Sequence, residues 1–209
     1  LPQARQRFQR WFGVLPVAYR AGDWSVNSDT LEALRGAGIP VDSSCFFGWP
    51  ACELKSPEGV SNRPRRYGDI LELPPTIFKN RGPGRPYRLL STDGQPYGEV
   101  ADVMRRLTAV GSPLLVSVYH SFSFLGWNPR RTRYWIEHGE VRKFERFVEA
   151  IARDPRAEHL TVCALYERYR RDPAFLLERP DGVPESPVRF AVPRLMERAV
   201  SMARGWMSP

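Results

Sequence analysis

Apolar residues recur along this chain with two different periods, and each change of period marks a change of element. Phe8, Trp11 and Phe12 fall at helical spacing, so residues 4–12 predict the end of a helix, stopped by Gly13. Residues 14–19 form a short apolar run and predict a strand. Asn27 or Ser28 can cap a helix over residues 29–37, whose apolar face carries Leu31, Leu34 and Ala37 and which Gly38 ends. Residues 39–41 predict a second short strand and residues 69–78 a third. Residues 99–110 predict a helix with Val100, Val103, Met104 and Leu107 inward. Residues 113–119 are the most continuous apolar stretch and predict a strand buried on both faces of a parallel sheet. Residues 140–152 are the clearest amphipathic helix, with Val141, Phe144, Phe147, Val148 and Ile151 on one side. Residues 159–164 predict a last strand, and residues 193–206 a terminal helix through Leu195, Ala199, Met202 and Trp206. Long irregular stretches fill residues 45–67, 81–96 and 179–193.

Strands alternating with helices argue an α/β fold with a mainly parallel sheet. The expected organisation is one β/α domain over residues 1–172 and a Pro-rich tail over residues 173–209. The chain has 209 residues, 42% of them hydrophobic, enough for a substantial core. The formal net charge is +8, and only Lys55, Lys79 and Lys143 of the 31 basic residues are lysines. These charges are scattered, so no nucleic-acid partner is expected. No run approaches the about 20 apolar residues of a membrane span. No secretory leader is visible, which favours the cytoplasm over secretion. Cys45, Cys52 and Cys163 are odd in number, and the first two do not have a familiar zinc-ligand spacing. A disulfide between them is open, as are membrane contact and oligomeric state.

Titratable residues sit where the predicted strands end, which is where α/β proteins build active sites. Arg20 follows the first strand and can grip a carboxylate through two parallel hydrogen bonds. Asp42 follows the second, with turn-forming as its simpler role. His120 follows the apolar run 113–119, and an imidazole there suits proton exchange near neutral pH. Trp24 can stack on a sugar ring or pack in the core, and Asp23 lies beside it.

Together these segments resemble the later half of the polysaccharide deacetylases, carbohydrate esterase family 4. Tyr19-Arg20-Ala21-Gly22 looks like the family's arginine motif in its Arg-Ala-Gly form. Val41-Asp42-Ser43-Ser44 looks like its Asp-Ser-Ser element, and Leu71-Glu72-Leu73-Pro74 like its Glu-Ile-Pro element. His120 matches a histidine at the end of a late strand.

The resemblance implies part of a distorted β/α barrel. It implies metal-dependent hydrolysis of the acetamide of an N-acetylated sugar, in bacterial surface polysaccharide or lipopolysaccharide metabolism. The implied cofactor is a divalent metal, zinc in kind. Arg20 would orient a general-base aspartate, His120 would protonate the departing amine, and Asp42 would steer His120. Trp24, Asp23, Glu72 and Trp127 would contact the carbohydrate. The family's metal ligands, an Asp-Asp pair and His-x-x-x-His, are absent, and His138 and His159 have no partner at ligand spacing. The expectation is therefore that the metal-binding motifs precede Leu1. Hydrolysis at a carbon–nitrogen bond depends on them, and the alternative is a carbohydrate-binding relative without catalysis.

Overall fold

The structure is a computed structural model and describes residues 1–82, 84–128, 130–197 and 199. In chain order the elements are α1 (Pro2–Phe12), β1 (Ala18–Tyr19), α2 (Ser28–Ala37), β2 (Val41–Asp42), β3 (Arg65–Tyr67), β4 (Ile70–Glu72), β5 (Ile77–Asn80), β6 (Tyr87–Leu89) and α3 (Tyr97–Ala109). They continue with β7 (Leu125–Trp127), β8 (Tyr134–Ile136), α4 (His138–Ala152), α5 (Val162–Arg171), α6 (Ala174–Leu177) and β9 (Glu185–Ser186). The class is mixed α and β. The chain forms two compact units. One comprises Leu1–Ile77, Ala109–Val116 and Leu160–Val183, the other Phe78–Thr108, Ser117–His159 and Pro184–Pro209.

In the first unit, α2 is specified locally at both ends. The Asn27 Oδ1 accepts the Thr30 backbone N–H at 3.0 Å, and the Thr30 hydroxyl accepts the Asn27 N–H in return. Gly38 ends the helix at φ 64°, a left-handed conformation that costs glycine little. Asn27→Ala should lower stability by about 1 kcal/mol in chemical denaturation, and Asn27→Gly by less. An unchanged midpoint in Asn27→Ala would show that the cap contributes nothing.

The buried face of α2, Leu31, Leu34 and Ala37, packs on Ile39 and Ile70. This crossover makes β1 and β2 parallel neighbours, and the sheet order is β1-β2-β4-β3, with β3 antiparallel at the edge. The register sets Tyr19 opposite Asp42 and Asp42 opposite Glu72, so the C-terminal ends of three parallel strands lie in one row. On the sheet's Val41, Leu71 and Leu73 pack Leu165 and Tyr169 of α5 and Leu176 of α6.

Several predicted elements differ from those observed. Residues 159–164 are not a strand: Thr161 caps α5 by accepting the Ala164 N–H at 3.1 Å, and Val162 and Cys163 open the helix. Leu165 and Tyr169, four residues apart, supply the buried stripe, which outweighs the β-propensity of Thr161 and Val162. Residues 113–119 are extended and half-buried but form no strand. Val116 accepts from the Thr76 N–H at 2.9 Å, yet its own N–H goes to the Thr76 hydroxyl at 2.8 Å rather than to a main-chain carbonyl. Pro74 and Pro75, just before Thr76, have no N–H to extend a ladder. The same prolines split the strand expected over residues 69–78 into β4 and β5. The predicted terminal helix falls partly outside the described residues; residues 193–197 are helical.

In the second unit β5 lies between β6 and β9, the latter parallel to it. The inner face of α3 carries Val100, Val103 and Leu107, all fully buried, together with Glu99 and Asp102. Glu99 accepts from the Ser186 hydroxyl and lies 3.0 Å from the Arg194 Nε. A β7–β8 hairpin, not foreseen from the sequence, pairs Leu125 with Ile136. Asn128 shapes its turn, the Oδ1 accepting from the Thr132 and Arg133 N–H groups. None of the three sheets closes on itself among the described residues.

Asp102 meets Arg105 at 2.7 Å, Arg106 at 2.8 Å and Arg189 at 3.4 Å. Burial alone would raise its carboxyl, but hydrogen bonds from Arg106 and Arg105 and their charge together hold it below the ordinary aspartate value. A depressed folded pKa stabilises above the unfolded value, about 3.9, and that contribution is lost as pH falls through the folded one. Asp102→Asn should therefore flatten the acid limb of the stability–pH curve below about pH 4. An acid limb identical to wild type would refute this.

Candidate functional site

The row of strand ends in the first unit gathers Arg20, Asp42, Ser43, Ser44, Cys45 and Glu72. Arg20 leaves β1 and turns toward the end of β2. Its Nε donates to the Ser43 carbonyl at 3.0 Å, and its Nη2 to the Ser43 hydroxyl at 2.8 Å. That hydroxyl donates onward to the Leu73 carbonyl at 2.7 Å, tying the arginine to the residue after β4. The Ser44 hydroxyl accepts the Ala21 N–H at 2.8 Å and donates to the Asp42 Oδ1 at 2.6 Å. Two consecutive serines thus lock the chain leaving β1 onto the chain leaving β2. The guanidinium is tethered through Nε and Nη2, and its Nη1 has no protein partner among the described residues.

Part of Arg20 is exposed, yet its guanidinium is partly withdrawn from water. That desolvation lowers its pKa from the usual arginine value, while the charges of Glu72 and Asp42 act in the opposite direction. The backbone after it is unusual. Asp23 and Trp24 both adopt positive φ, 51° and 57°, in the sparsely populated left-handed region. Trp24 packs edge-on against Phe46 at 6.0 Å and lies beneath the Arg20 guanidinium at 5.5 Å. It is half-buried, and Asp23 is exposed.

Asp42 and Glu72 are completely buried. The Glu72 Oε1 accepts the Cys45 N–H at 2.9 Å, which turns the chain back after Ser44. Removal from water and the neighbouring Asp42 carboxylate hold Glu72 well above the usual glutamate pKa; donation from Cys45 opposes this. The Asp42 Oδ2 and the Glu72 Oε2 have no donor among the described residues. One donor atom each of Asp42, Cys45 and Glu72 lies within 4.8 Å of the others. In the sequence Cys45 stands out only as a cysteine and Ser43 only as part of the Asp-Ser-Ser element, and neither is placed at the site. Their position directly after Asp42, at a strand end, was the available signal.

His120 belongs to the second unit. It is exposed, precedes the short 3-10 turn Ser121–Phe124, and stacks on Phe122 with ring centroids 4.6 Å apart. Its imidazole makes no hydrogen bond among the described residues. Trp127 sits in β7 under the Arg131 guanidinium at 5.4 Å. Of the residues expected at a site, the structure therefore joins Arg20, Asp42, Glu72 and Trp24 in one unit and places His120 and Trp127 in the other.

A separate cavity of about 260 Å³ in the first unit is lined by Glu58, Ser61, Arg63 and Asp181. Asp181 accepts from the Ser61 hydroxyl and the Asn62 N–H through its Oδ2. Its Oδ1, and the Arg63 Nε, are buried without partners among the described residues.

The deacetylase metal ligands, an Asp-Asp pair and two histidines, have no counterpart among the described residues, so no catalytic step is derived through such a metal. No protein-family model, curated protein or solved structure matches this chain.

Proposed function

We propose that this chain carries the arginine- and histidine-bearing part of a hydrolase that removes acetyl groups from N-acetylated sugars, built on a distorted β/α barrel. The observation that supports it most is the tethered Arg20. Its Nε and Nη2 are committed to Ser43, and its Nη1 has no protein partner among the described residues. A guanidinium fixed this way can hold a carboxylate ionised and aimed, the task a general base in amide hydrolysis requires. The C–N bond cannot break until the departing amine gains a proton, and the exposed His120 suits that role. A divalent metal in such an enzyme lowers the pKa of the attacking water and stabilises the oxyanion.

The test is acetate release from N-acetylglucosamine oligomers by the full enzyme, with its metal-binding part present, with and without added zinc. Release is expected to fall at least about a hundredfold in His120→Ala, and comparably in Arg20→Ala. Undiminished release in both variants sinks the assignment.

The cavity favours one second reading, a carbohydrate-binding relative without catalysis. Its lining by Glu58, Ser61, Arg63 and Asp181 offers polar and charged groups of the kind that bind sugar hydroxyls. That reading leads if oligosaccharides bind saturably and no acetate appears.

A further inference from the structure

We infer that Asp42, Cys45, Glu72 and Cys52 form a closed structural site for one divalent cation of the zinc class. The first three offer donor atoms all within 4.8 Å of one another, and all three residues are fully buried. Cys52 packs with Cys45 in the same buried cluster. Turns after Phe46 and Trp49 bring the chain back, and the parallel bridge of Cys52 to Val26 holds it there.

Two unpartnered oxygens point to a ligand. The Asp42 Oδ2 and the Glu72 Oε2 are both buried and both lack a donor, although each carboxylate's other oxygen is satisfied. Leaving such groups unpaired in a dry interior is expensive, and a cation satisfies both at once.

The donor chemistry and charge also fit. Thiolates and carboxylates both bind zinc, and tetrahedral zinc sets neighbouring ligand atoms about 3.5 Å apart, so Asp42, Cys45 and Glu72 would contract modestly from their spacing of up to 4.8 Å and the Cys52 thiol would move in to complete the shell. The cation and four anionic donors leave a residual charge of two, as in four-cysteine sites. The Arg20 guanidinium, coulombically coupled to both Asp42 and Glu72, offsets part of it.

The site is closed. Four protein donors would fill it, three of them wholly inaccessible to solvent, so no position is left for an activated water. It differs from the deacetylase ligand set in residues and in purpose. Its role is to pin the loop after β2 to the ends of β2 and β4, which fixes Ser43 and Ser44 and through them Arg20.

The experiment is cobalt and zinc binding by the full chain, purified under reducing conditions. One cobalt ion per chain is expected, with a near-ultraviolet thiolate-to-cobalt charge-transfer band that zinc displaces. Cys45→Ser and Glu72→Gln should abolish or shift that band, whereas Cys163→Ser, at an exposed site in α5, should leave it unchanged. Removing the metal with a chelator should lower the wild-type melting temperature by about 10 °C, restored by zinc. If a variant fails to fold, the wild-type stoichiometry and chelator response decide alone. The inference is overturned if fully reduced wild-type protein binds no stoichiometric cobalt, if chelation leaves its melting temperature unchanged, or if native protein holds a Cys45–Cys52 disulfide. These outcomes are read from metal content and melting temperature rather than from acetate release, so failure of this site and failure of the proposed activity are distinguishable.

Discussion

Asn62→Ala is expected to destabilise the chain by about 3–5 kcal/mol, because one side chain does the work of a missing strand. The Asn62 Oδ1 accepts the Ile77 N–H at 2.7 Å, and its Nδ2 donates to the Ile77 carbonyl and the Gly182 carbonyl, both at 2.9 Å. Asn62 and Ile77 are buried, so no water replaces these bonds. Alanine would orphan one backbone donor and leave two backbone carbonyls without these bonds, and each unsatisfied buried group costs about 1–3 kcal/mol. The segment after Pro74-Pro75 cannot compensate, since those residues donate nothing. Urea denaturation should show a lower midpoint with unchanged slope. A loss under about 1 kcal/mol would mean that water or a shifted backbone replaces the amide.

Leu34→Ala should cost about 3 kcal/mol and reach further into the site than its position suggests. Leu34 is wholly inaccessible and packs with Leu31, Ala37, Ile39 and Ile70. Truncation loses transfer free energy and leaves a cavity that the rigid sheet can only partly close. Because α2 is the crossover between β1 and β2, loosening it loosens the frame that sets Arg20 against Ser43. Leu34→Met, nearly volume-conserving, should cost less than about 1.5 kcal/mol. Equal losses in the two variants would show that cavity formation is not the cause.

Local features were legible in the sequence. Asn27 and Gly38 mark the ends of α2 because capping is a contact between near neighbours, and α3 and α4 follow from apolar residues at helical spacing, which depend on no distant partner. Arg20 and Asp42 at strand ends were found the same way, as charges directly after short apolar runs. Errors arose where another segment decides the outcome. The apolar run 113–119 reports burial, but a strand also needs a continuous main-chain ladder, and here the main-chain bonds are isolated, from Thr76 to Val116 and from Val118 to Leu90, while the Val116 N–H goes to the Thr76 hydroxyl. Residues 161–164 look β-prone, yet a helix there buries Leu165 and Tyr169 against Val41 and Leu71.

The sequence by itself determined the helices, their caps, the charges at strand ends and the scattered basic surface, because each is written in neighbours within about one helical turn or in composition. Only the tertiary structure decided that Asp42, Cys45 and Glu72 converge, that two serines lock Arg20, and that Asn62 clamps Ile77. Those contacts join residues up to 120 positions apart, as Asn62 and Gly182 are. Parallel pairing and register bring them together, and neither leaves a local trace in the chain.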